Sequence, residues 1–306
     1  MVGTRDTGRD DAAPAQSGEP SLADVPALRI GMAEQGRSLP APRVDARSYV
    51  ADDVPLRLYR PVERPGGPEA PLPLLVFLHG GGWLLGDLDT HDAPCRWLCA
   101  KAGCAVLAVG YRLAPEHPFP AALDDTMTAF RWARANAAAL GCDPRQVAIG
   151  GESAGANLAA AMTLVVRDGG EAPPVFQLLV HPPTDLRMQQ PSFDEVSLPG
   201  LSRSFLADCI GAYAGAASLD DARLSPLRAD DLSGLPPAIV ITVENDPLRD
   251  DGEQYGLALA RAGNDVRMQR LPGLPHGFMF LPATQPKVAA AFRLLGSRVA
   301  RYFHAL

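Results

Sequence analysis

VAIGGESAGANLAAA (residues 147–161) begins as a short apolar strand and ends as an alanine-rich helix. Between the two stands Ser153, with Gly151 and Gly155 two residues away on either side. This G-x-S-x-G pattern is that of a nucleophile elbow, a sharp strand-to-helix turn that exposes the serine hydroxyl. Glycine is favoured beside such a turn because the backbone passes close to the neighbouring strand and helix, where a Cβ atom would clash.

A second glycine-rich stretch, HGGGW (79–83), follows directly after an apolar run at 73–78. Three successive glycines expose backbone N–H groups without side-chain obstruction, which an oxyanion hole requires. Each stretch alone has a plain structural explanation: a serine that caps a helix, or a flexible loop. Their occurrence in one chain, each at the end of an apolar strand, favours a catalytic site.

On both sides of these turns, apolar strands and helices alternate along the chain. Strands are predicted within 47–61 (two around a turn), 73–80, 104–112, 146–150, 175–181, 237–243 and 265–271, and helices at 121–139, from 153, at 250–262 and at 285–303. Unbroken apolar strands that alternate with helices indicate a mostly parallel sheet covered on both faces, here with an antiparallel opening pair. The predicted fold class is therefore α/β.

Composition excludes several classes of function. Of the 306 residues, 47% are hydrophobic and 21% charged, a balance typical of a soluble globular protein. A net charge of −7 without any basic run argues against a nucleic-acid partner. No apolar run is long enough for a membrane span, and residues 1–20 predict a disordered tail rather than a secretory signal. Five cysteines without a CxxC pair then predict a reduced, cytoplasmic protein.

Five motifs, taken together, resemble one family. They are HGGGW (79–83), YRLAPEHPFPAALDD (111–125), GESAG (151–155), DPLRDDGE (246–253) and HGF (276–278). In this order they resemble the bacterial hormone-sensitive-lipase-like (family IV) carboxylesterases of the α/β-hydrolase fold. The resemblance implies a mostly parallel central sheet with helices on both faces and a helical cap.

The resemblance also implies how the chain is organised. A single α/β-hydrolase domain is expected over residues 1–306, with a cap formed by about 21–45 and 184–222. The catalytic core is expected at about 46–183 and 223–306. The second cap segment interrupts the alternation of strands and helices with mixed loop and helix signals, which supports this division.

A serine hydroxyl becomes nucleophilic when an imidazole accepts its proton and a carboxylate orients that imidazole. In this fold the three follow one another in the order serine, acid, histidine. His276, in a glycine-bounded loop after the last predicted strand, matches the base of the family. His181 is the alternative, because it ends a core strand at the edge where active sites form.

The family's motif assigns the acid to Asp246, just beyond the strand predicted at 237–243. Glu244 and Asp250 are nearby carboxylates for which ordinary loop or helix-start charge is a sufficient explanation. The predicted triad is therefore Ser153, Asp246 and His276.

The expected oxyanion donors are backbone N–H groups of Gly81, Gly82 and Ala154. Gly80 is an alternative donor, because the register within the triple glycine is open. His79 adjoins the loop and precedes the serine in the chain, so it is expected to support the oxyanion loop.

These residues predict hydrolysis of a small-molecule carboxylic ester through an acyl-enzyme. The resemblance implies short- to medium-chain acyl groups, and neither a metal nor an organic cofactor is needed; no HExxH, P-loop or GxGxxG motif is present. The same triad would also serve an amide, formamide or carbamate hydrolase. A non-catalytic ligand-binding protein on this fold, like the gibberellin receptor, is less favoured because all three triad positions are filled.

Two positions depart from the family's usual pattern. Glu152 stands where Asp is usual, and its longer side chain is expected to alter the contact made there; His181-Pro182 stands where Tyr-Pro is frequent. Trp83, Phe205 and Phe278 are equally compatible with an acyl pocket and with ordinary packing. A homodimer is expected from family habit and from the last strand, which is an edge that needs cover.

Overall fold

Eight strands form one sheet within residues 19–63, 67 and 70–304, the part of the chain that the computed structural model describes. In chain order they are β1 (Val44–Ala51), β2 (Val54–Pro61), β3 (Leu72–Leu78), β4 (Ala105–Val109), β5 (Cys142–Glu152), β6 (Gln177–Val180), β7 (Ala238–Asn245) and β8 (Val266–Pro275). Their order across the sheet is β1-β2-β4-β3-β5-β6-β7-β8. The pairs β1–β2 and β2–β4 are antiparallel and the other five pairs are parallel, so the predicted sheet is confirmed.

Helices cover both faces of this sheet. They are α1 (Val25–Ser38), α2 (Asp92–Ala102), α3 (Ala121–Asn136), α4 (Ala154–Asp168), α5 (Ser192–Glu195), α6 (Arg203–Ala214), α7 (Arg249–Arg261) and α8 (Pro286–His304). In β3, Leu74 and Val76 belong to the apolar cluster that includes α3, α4 and α7, whereas Leu75 and Phe77 belong to the cluster that includes α2 and α8. This alternation follows from the two-residue period of a strand buried on both faces.

Several parts of the fold differ from the sequence predictions: for example, α1 was not predicted as a helix, and β8 ends at Pro275, four residues after the strand predicted at 265–271. β5 begins at Cys142, four residues before the strand predicted at 146–150, and α2 was not predicted at all. The sequence does carry signals for α2, because Pro94 lies in its first turn and Gly103 follows its last residue in the left-handed conformation (φ 64°). The tail predicted for residues 1–20 lies outside the described residues, except for residues 19 and 20.

The sheet brings the predicted site residues to one edge. The parallel strands β3, β5, β6, β7 and β8 are neighbours, and the chain leaves their carboxyl ends through, in this order, the HGGGW loop, Ser153, His181, Asp246 and His276. Ligand sites of open α/β sheets form at this edge, outside the carboxyl ends of the strands. A common edge therefore collects residues that are far apart in the sequence.

Two segments correspond to the predicted cap. Residues 184–222, all of which are described, contain α5 and α6 and contribute no strand to the sheet. Residues 21–45 contain α1 and the first residues of β1. Among all the helices described, none combines the length and the apolar character needed to cross a membrane.

Candidate active site

Ser153 lies in a strained turn between β5 and α4. Its φ of 52° and ψ of −122° are unusual for a residue with a side chain, and its N–H donates to the carbonyl of Val180 at 2.8 Å. A Cβ on Gly151 would lie 2.3 Å from the carbonyl carbon of Gly155, and one on Gly155 would lie 2.1 Å from the carbonyl oxygen of Leu78. Both glycines are therefore required by close backbone packing around the turn.

His276 lies between Ser153 and Asp246. Its Nε2 is 2.9 Å from Ser153 Oγ, and its Nδ1 is 3.0 Å from Asp246 Oδ2, although the ring N–H is not well aligned with that oxygen. The backbone N–H of Leu248 donates to the other Asp246 oxygen at 2.8 Å. His276 therefore contacts the other two predicted triad side chains, Ser153 on one side and Asp246 on the other, which is the order that acyl transfer requires.

The electrostatics of this cluster favour a basic His276. Burial alone would lower the pKa of His276, but the carboxylates of Asp246 and Glu152 outweigh burial, so the pKa is raised. Asp246 is fully buried, and it therefore faces His276 without screening by solvent. A raised pKa makes the imidazole a stronger proton acceptor.

His181, the alternative base, is buried beside His276 rather than beside the serine. The two ring centroids are 4.1 Å apart, and His181 Nε2 lies 3.3 Å from Glu152 Oε2. Burial, with a smaller contribution from His276, lowers the pKa of His181 to about 4. The hydrogen bond of the Ser153 hydroxyl is with His276, so the geometry favours His276 as its partner.

A metal ion would find three potential ligands here. His181, Asp246 and His276 each present one ligand atom, and these atoms lie within 4.8 Å of one another. However, both ring nitrogens of His276 already face Ser153 and Asp246. A metal on either nitrogen would displace one of these contacts, so the arrangement suits proton transfer better than metal binding.

Two glycines of the HGGGW loop have positive φ angles, a region of backbone conformation that favours glycine. Gly81 and Gly82 have φ of 117° and 61°, and a Cβ on Gly81 would lie 2.3 Å from the carbonyl oxygen of Leu85. Both glycines line a cavity together with Ser153 and Ala154. Ala154 is the first residue of α4, where backbone N–H groups have no partner within the helix.

His79 lies within the base of this loop. Its Nδ1 is 2.8 Å from the carbonyl oxygen of Gly80, and its ring stacks on Tyr111 with centroids 4.1 Å apart. The Tyr111 hydroxyl donates to the carbonyl of His79 at 2.8 Å. Burial, with a smaller contribution from His91, lowers the pKa of His79 to about 3, so the imidazole is neutral.

Sequence reasoning missed the partners of Glu152. Its Oε1 accepts a hydrogen bond from the backbone N–H of Gly80 at 3.1 Å and lies 3.0 Å from His91 Nε2. Burial would raise the pKa of Glu152, but the hydrogen bond with His91 and the nearby histidines outweigh it and lower the pKa to about 2. The departure from Asp at position 152 was the available signal, but His91 directly precedes α2, which was not predicted.

A cavity of about 160 Å³ adjoins Ser153 and His276. Its wall is mostly apolar: Met32, Trp83, Leu85, Leu186, Met188, Phe193, Leu201, Phe205, Leu206, Ile210 and Phe280. Of the three aromatic residues considered from the sequence, Trp83 and Phe205 therefore line the cavity. Phe278 does not, because it packs in the apolar cluster of α2 and α8.

Comparison with known proteins identifies the family. Residues 75–280 match the sequence profile of a family with the α/β-hydrolase fold. A carboxylesterase of Mycobacterium tuberculosis is 43% identical over 263 residues, which cover 83% of this chain and 81% of that protein. The chain belongs to the α/β-hydrolase family. An arylesterase of Saccharolobus solfataricus is 37% identical over 246 residues, with 77% of this chain and 76% of that protein covered.

Solved structures of α/β hydrolases agree with this assignment. A hyperthermophilic esterase from Pyrobaculum calidifontis superposes with a TM-score of 0.83 and 35% identity, and 94% of each chain is covered. A thermostable esterase from Pseudomonas putida gives a TM-score of 0.85 at 31% identity, with 94% of this chain and 93% of that chain covered. Within the α/β hydrolases, the chain is one of the hormone-sensitive-lipase-like carboxylesterases, and its enzyme class is carboxylic ester hydrolase.

Proposed function

We propose that the chain hydrolyses short- to medium-chain carboxylic esters through an acyl-enzyme formed on Ser153. His276 is the general base and acid, and Asp246 orients it. The observation that carries this proposal is the contact chain from Ser153 Oγ to His276 Nε2 (2.9 Å) and from His276 Nδ1 to Asp246 (3.0 Å), at the edge of an apolar cavity. The same contacts account for activation of a hydroxyl that is otherwise a weak nucleophile.

In acylation, Ser153 Oγ attacks the ester carbonyl while His276 Nε2 accepts the hydroxyl proton. Asp246 stabilises the imidazolium that results. The tetrahedral intermediate collapses when the C–O bond to the alcohol breaks and His276 returns its proton to the leaving oxygen. The alcohol departs, and the acyl group remains bound to Ser153 as an ester.

In deacylation, water takes the place of the alcohol. The water oxygen attacks the acyl carbonyl while His276 accepts a proton from the water. His276 then returns that proton to Ser153 Oγ as the acyl–enzyme bond breaks. The carboxylic acid leaves and the enzyme is restored. Each tetrahedral intermediate carries a negative oxygen, which we assign to the N–H groups of Gly81, Gly82 and Ala154.

The position of the oxyanion donors is supported by the loop around them. Gly81, Gly82 and Ala154 line the same cavity as Ser153, which supports their N–H groups as donors to a carbonyl that the serine attacks. We assign His79 a supporting role, because its ring contacts the carbonyl of Gly80 on the loop and stacks on Tyr111.

The preference for short to medium acyl chains is supported by the size and chemistry of the cavity. A volume of about 160 Å³ with a mostly apolar wall suits a few methylene groups better than a long chain. Part of this wall comes from Met32 of α1 and from Phe205 and Leu206 of α6. These contributions support a cap formed by residues 21–45 and 184–222 over the catalytic core.

The test is release of p-nitrophenol from the acetate, butyrate, octanoate and palmitate esters. We expect turnover to be fastest for the short chains, and Ser153→Ala and His276→Ala each to reduce kcat by about 10⁴-fold or more. His117→Ala is the matched control, because His117 is exposed and lies outside the cavity wall. Full turnover by Ser153→Ala would refute the mechanism, and faster cleavage of p-nitrobutyranilide than of the butyrate ester would refute the substrate class.

A further inference from the structure

The carboxylate of Glu152 is buried between the turn that presents Ser153 and the HGGGW loop. Glu152 is the last residue of β5, and only 2% of its surface is exposed. Burial of a charged group is costly unless hydrogen bonds or opposite charges compensate it. The contacts that hold this carboxylate therefore indicate what it does.

On one side, the carboxylate holds the backbone of the oxyanion loop. Oε1 accepts the N–H of Gly80, the residue directly before Gly81 and Gly82. A Cβ on Gly80 would lie 2.1 Å from Oε1, so the carboxylate rests against the main chain of the loop. His91, at the start of α2, lies 3.0 Å from the same oxygen and anchors it from behind.

On the other side, the carboxylate faces the base. Oε2 lies 3.3 Å from His181 Nε2, and the ring of His181 lies 4.1 Å from that of His276. The ionisable groups that surround His276 are thus Asp246 after β7, His181 after β6, and Glu152 with Ser153 at the end of β5. Glu152 is the second carboxylate that favours the protonated form of His276.

Building on the proposed function, we propose that Glu152 is a positioning residue that braces the oxyanion loop against the nucleophile turn and adds a second negative charge to the environment of His276. The brace fixes where the N–H groups of Gly81 and Gly82 point before substrate arrives. Preorganised donors of this kind stabilise the transition state without reorganisation. The charge makes His276 a better proton acceptor.

The same charge lies near the oxyanion and would oppose it if it were uncompensated. The Gly80 N–H and His91 both contact Oε1, and these contacts compensate part of its negative charge. The length of the side chain and its negative charge are therefore separate requirements at position 152. Two conservative variants separate them: Glu152→Gln keeps the length and removes the charge, and Glu152→Asp keeps the charge and shortens the side chain.

The experiment measures kcat and KM for p-nitrophenyl butyrate from pH 5 to 9 in both variants, with Glu63→Gln, at an exposed site, as the control for the chemical change. For Glu152→Gln we expect the acidic limb of kcat/KM to move to lower pH, because loss of the anion lowers the pKa of His276. For Glu152→Asp we expect the limb to stay in place while kcat falls about tenfold, because the shorter arm withdraws from Gly80. KM should change little in either variant.

Wild-type kcat and an unmoved acidic limb in both variants would overturn the inference. A second result would also overturn the inference: kcat and thermal stability both fall while the acidic limb of kcat/KM stays in place. This result would describe a residue with a structural role only. If Glu152→Gln does not fold, Glu152→Asp alone tests the inference: a lower kcat at unchanged KM supports it, and a wild-type kcat overturns it. Ser153→Ala, measured alongside, separates the two proposals. If Ser153→Ala is inactive while both Glu152 variants behave like the wild type, only the proposed role of Glu152 is refuted.

Discussion

At the scale of single residues, the site depends on where buried charges stand relative to one imidazole. The side chain of His276 is 10% exposed. Its pKa would fall below that of a free histidine if burial acted alone. Asp246, which has no exposed surface and lies 3.0 Å away, contributes most to reversing this effect, and Glu152 adds to it. In the proposed mechanism, the reactivity of the serine therefore depends on a carboxylate that has no exposed surface.

The raised pKa of His276 predicts the direction of the pH dependence. In the proposed mechanism, the imidazole accepts the serine proton only when it is neutral, and a raised pKa keeps it protonated to a higher pH. We therefore expect kcat/KM for p-nitrophenyl butyrate to rise with pH through a midpoint above 6.5, the ordinary histidine value. In Asp246→Asn the remaining activity should rise at a lower pH, and a flat wild-type profile from pH 5 to 8 would contradict His276 as the base.

At the scale of elements, the strand–turn–helix unit of β5, Ser153 and α4 shows how packing overrides local preference. Alanine is a better helix former than glycine by about 1 kcal/mol. Gly155 nevertheless lies in the first turn of α4, because the helix approaches the end of β3 so closely that a Cβ would meet the carbonyl of Leu78. The glycine that weakens the helix is the one that permits the turn.

This conflict is measurable with two matched substitutions. Gly211 lies inside α6, and a Cβ there would meet nothing within 4 Å. Gly211→Ala should raise the free energy of unfolding by about 0.5–1 kcal/mol, whereas Gly155→Ala should lower it by at least 1 kcal/mol and reduce kcat. Urea denaturation of the two variants beside the wild type tests this, and equal stabilisation by both would show that α4 can move away from β3.

The sequence predicted most of these elements because each carries its own local signals. The apolar run of β3 and the glycines around Ser153 are readable within a few residues. α2 escaped because its signals, Pro94 near its start and Gly103 after its end, are equally typical of a loop. The missing prediction of α2 had a consequence, because α2 begins beside His91, the partner of Glu152.

At the scale of the whole molecule, β8 is left as an edge of the sheet, paired on one side with β7. It carries Met268, whose surface is 40% exposed. An uncovered edge strand invites pairing with another chain. The homodimer expected from the sequence stays a prediction, and β8 is the surface on which we expect the two chains to pair.

Static light scattering at micromolar concentration should give twice the mass of the chain for the wild type. Met268→Glu should shift the equilibrium toward the monomer, because it places a charge on the exposed edge strand. Val50→Glu, at a well-exposed apolar site of β1 on the opposite edge, is the control and should leave the dimer intact. A monomeric wild type would rule out this assembly.

What the sequence by itself determined are the features that need only neighbouring residues: the turn around Ser153, the glycine loop and the alternation of strands and helices. With the family resemblance it also named Asp246 and His276. Tertiary structure alone decided what surrounds them. Ser153 and His276 are 123 residues apart, and Gly80 and Glu152 are 72 apart, yet each pair shares a hydrogen bond. Such contacts depend on the order of strands across the sheet, which no local pattern encodes.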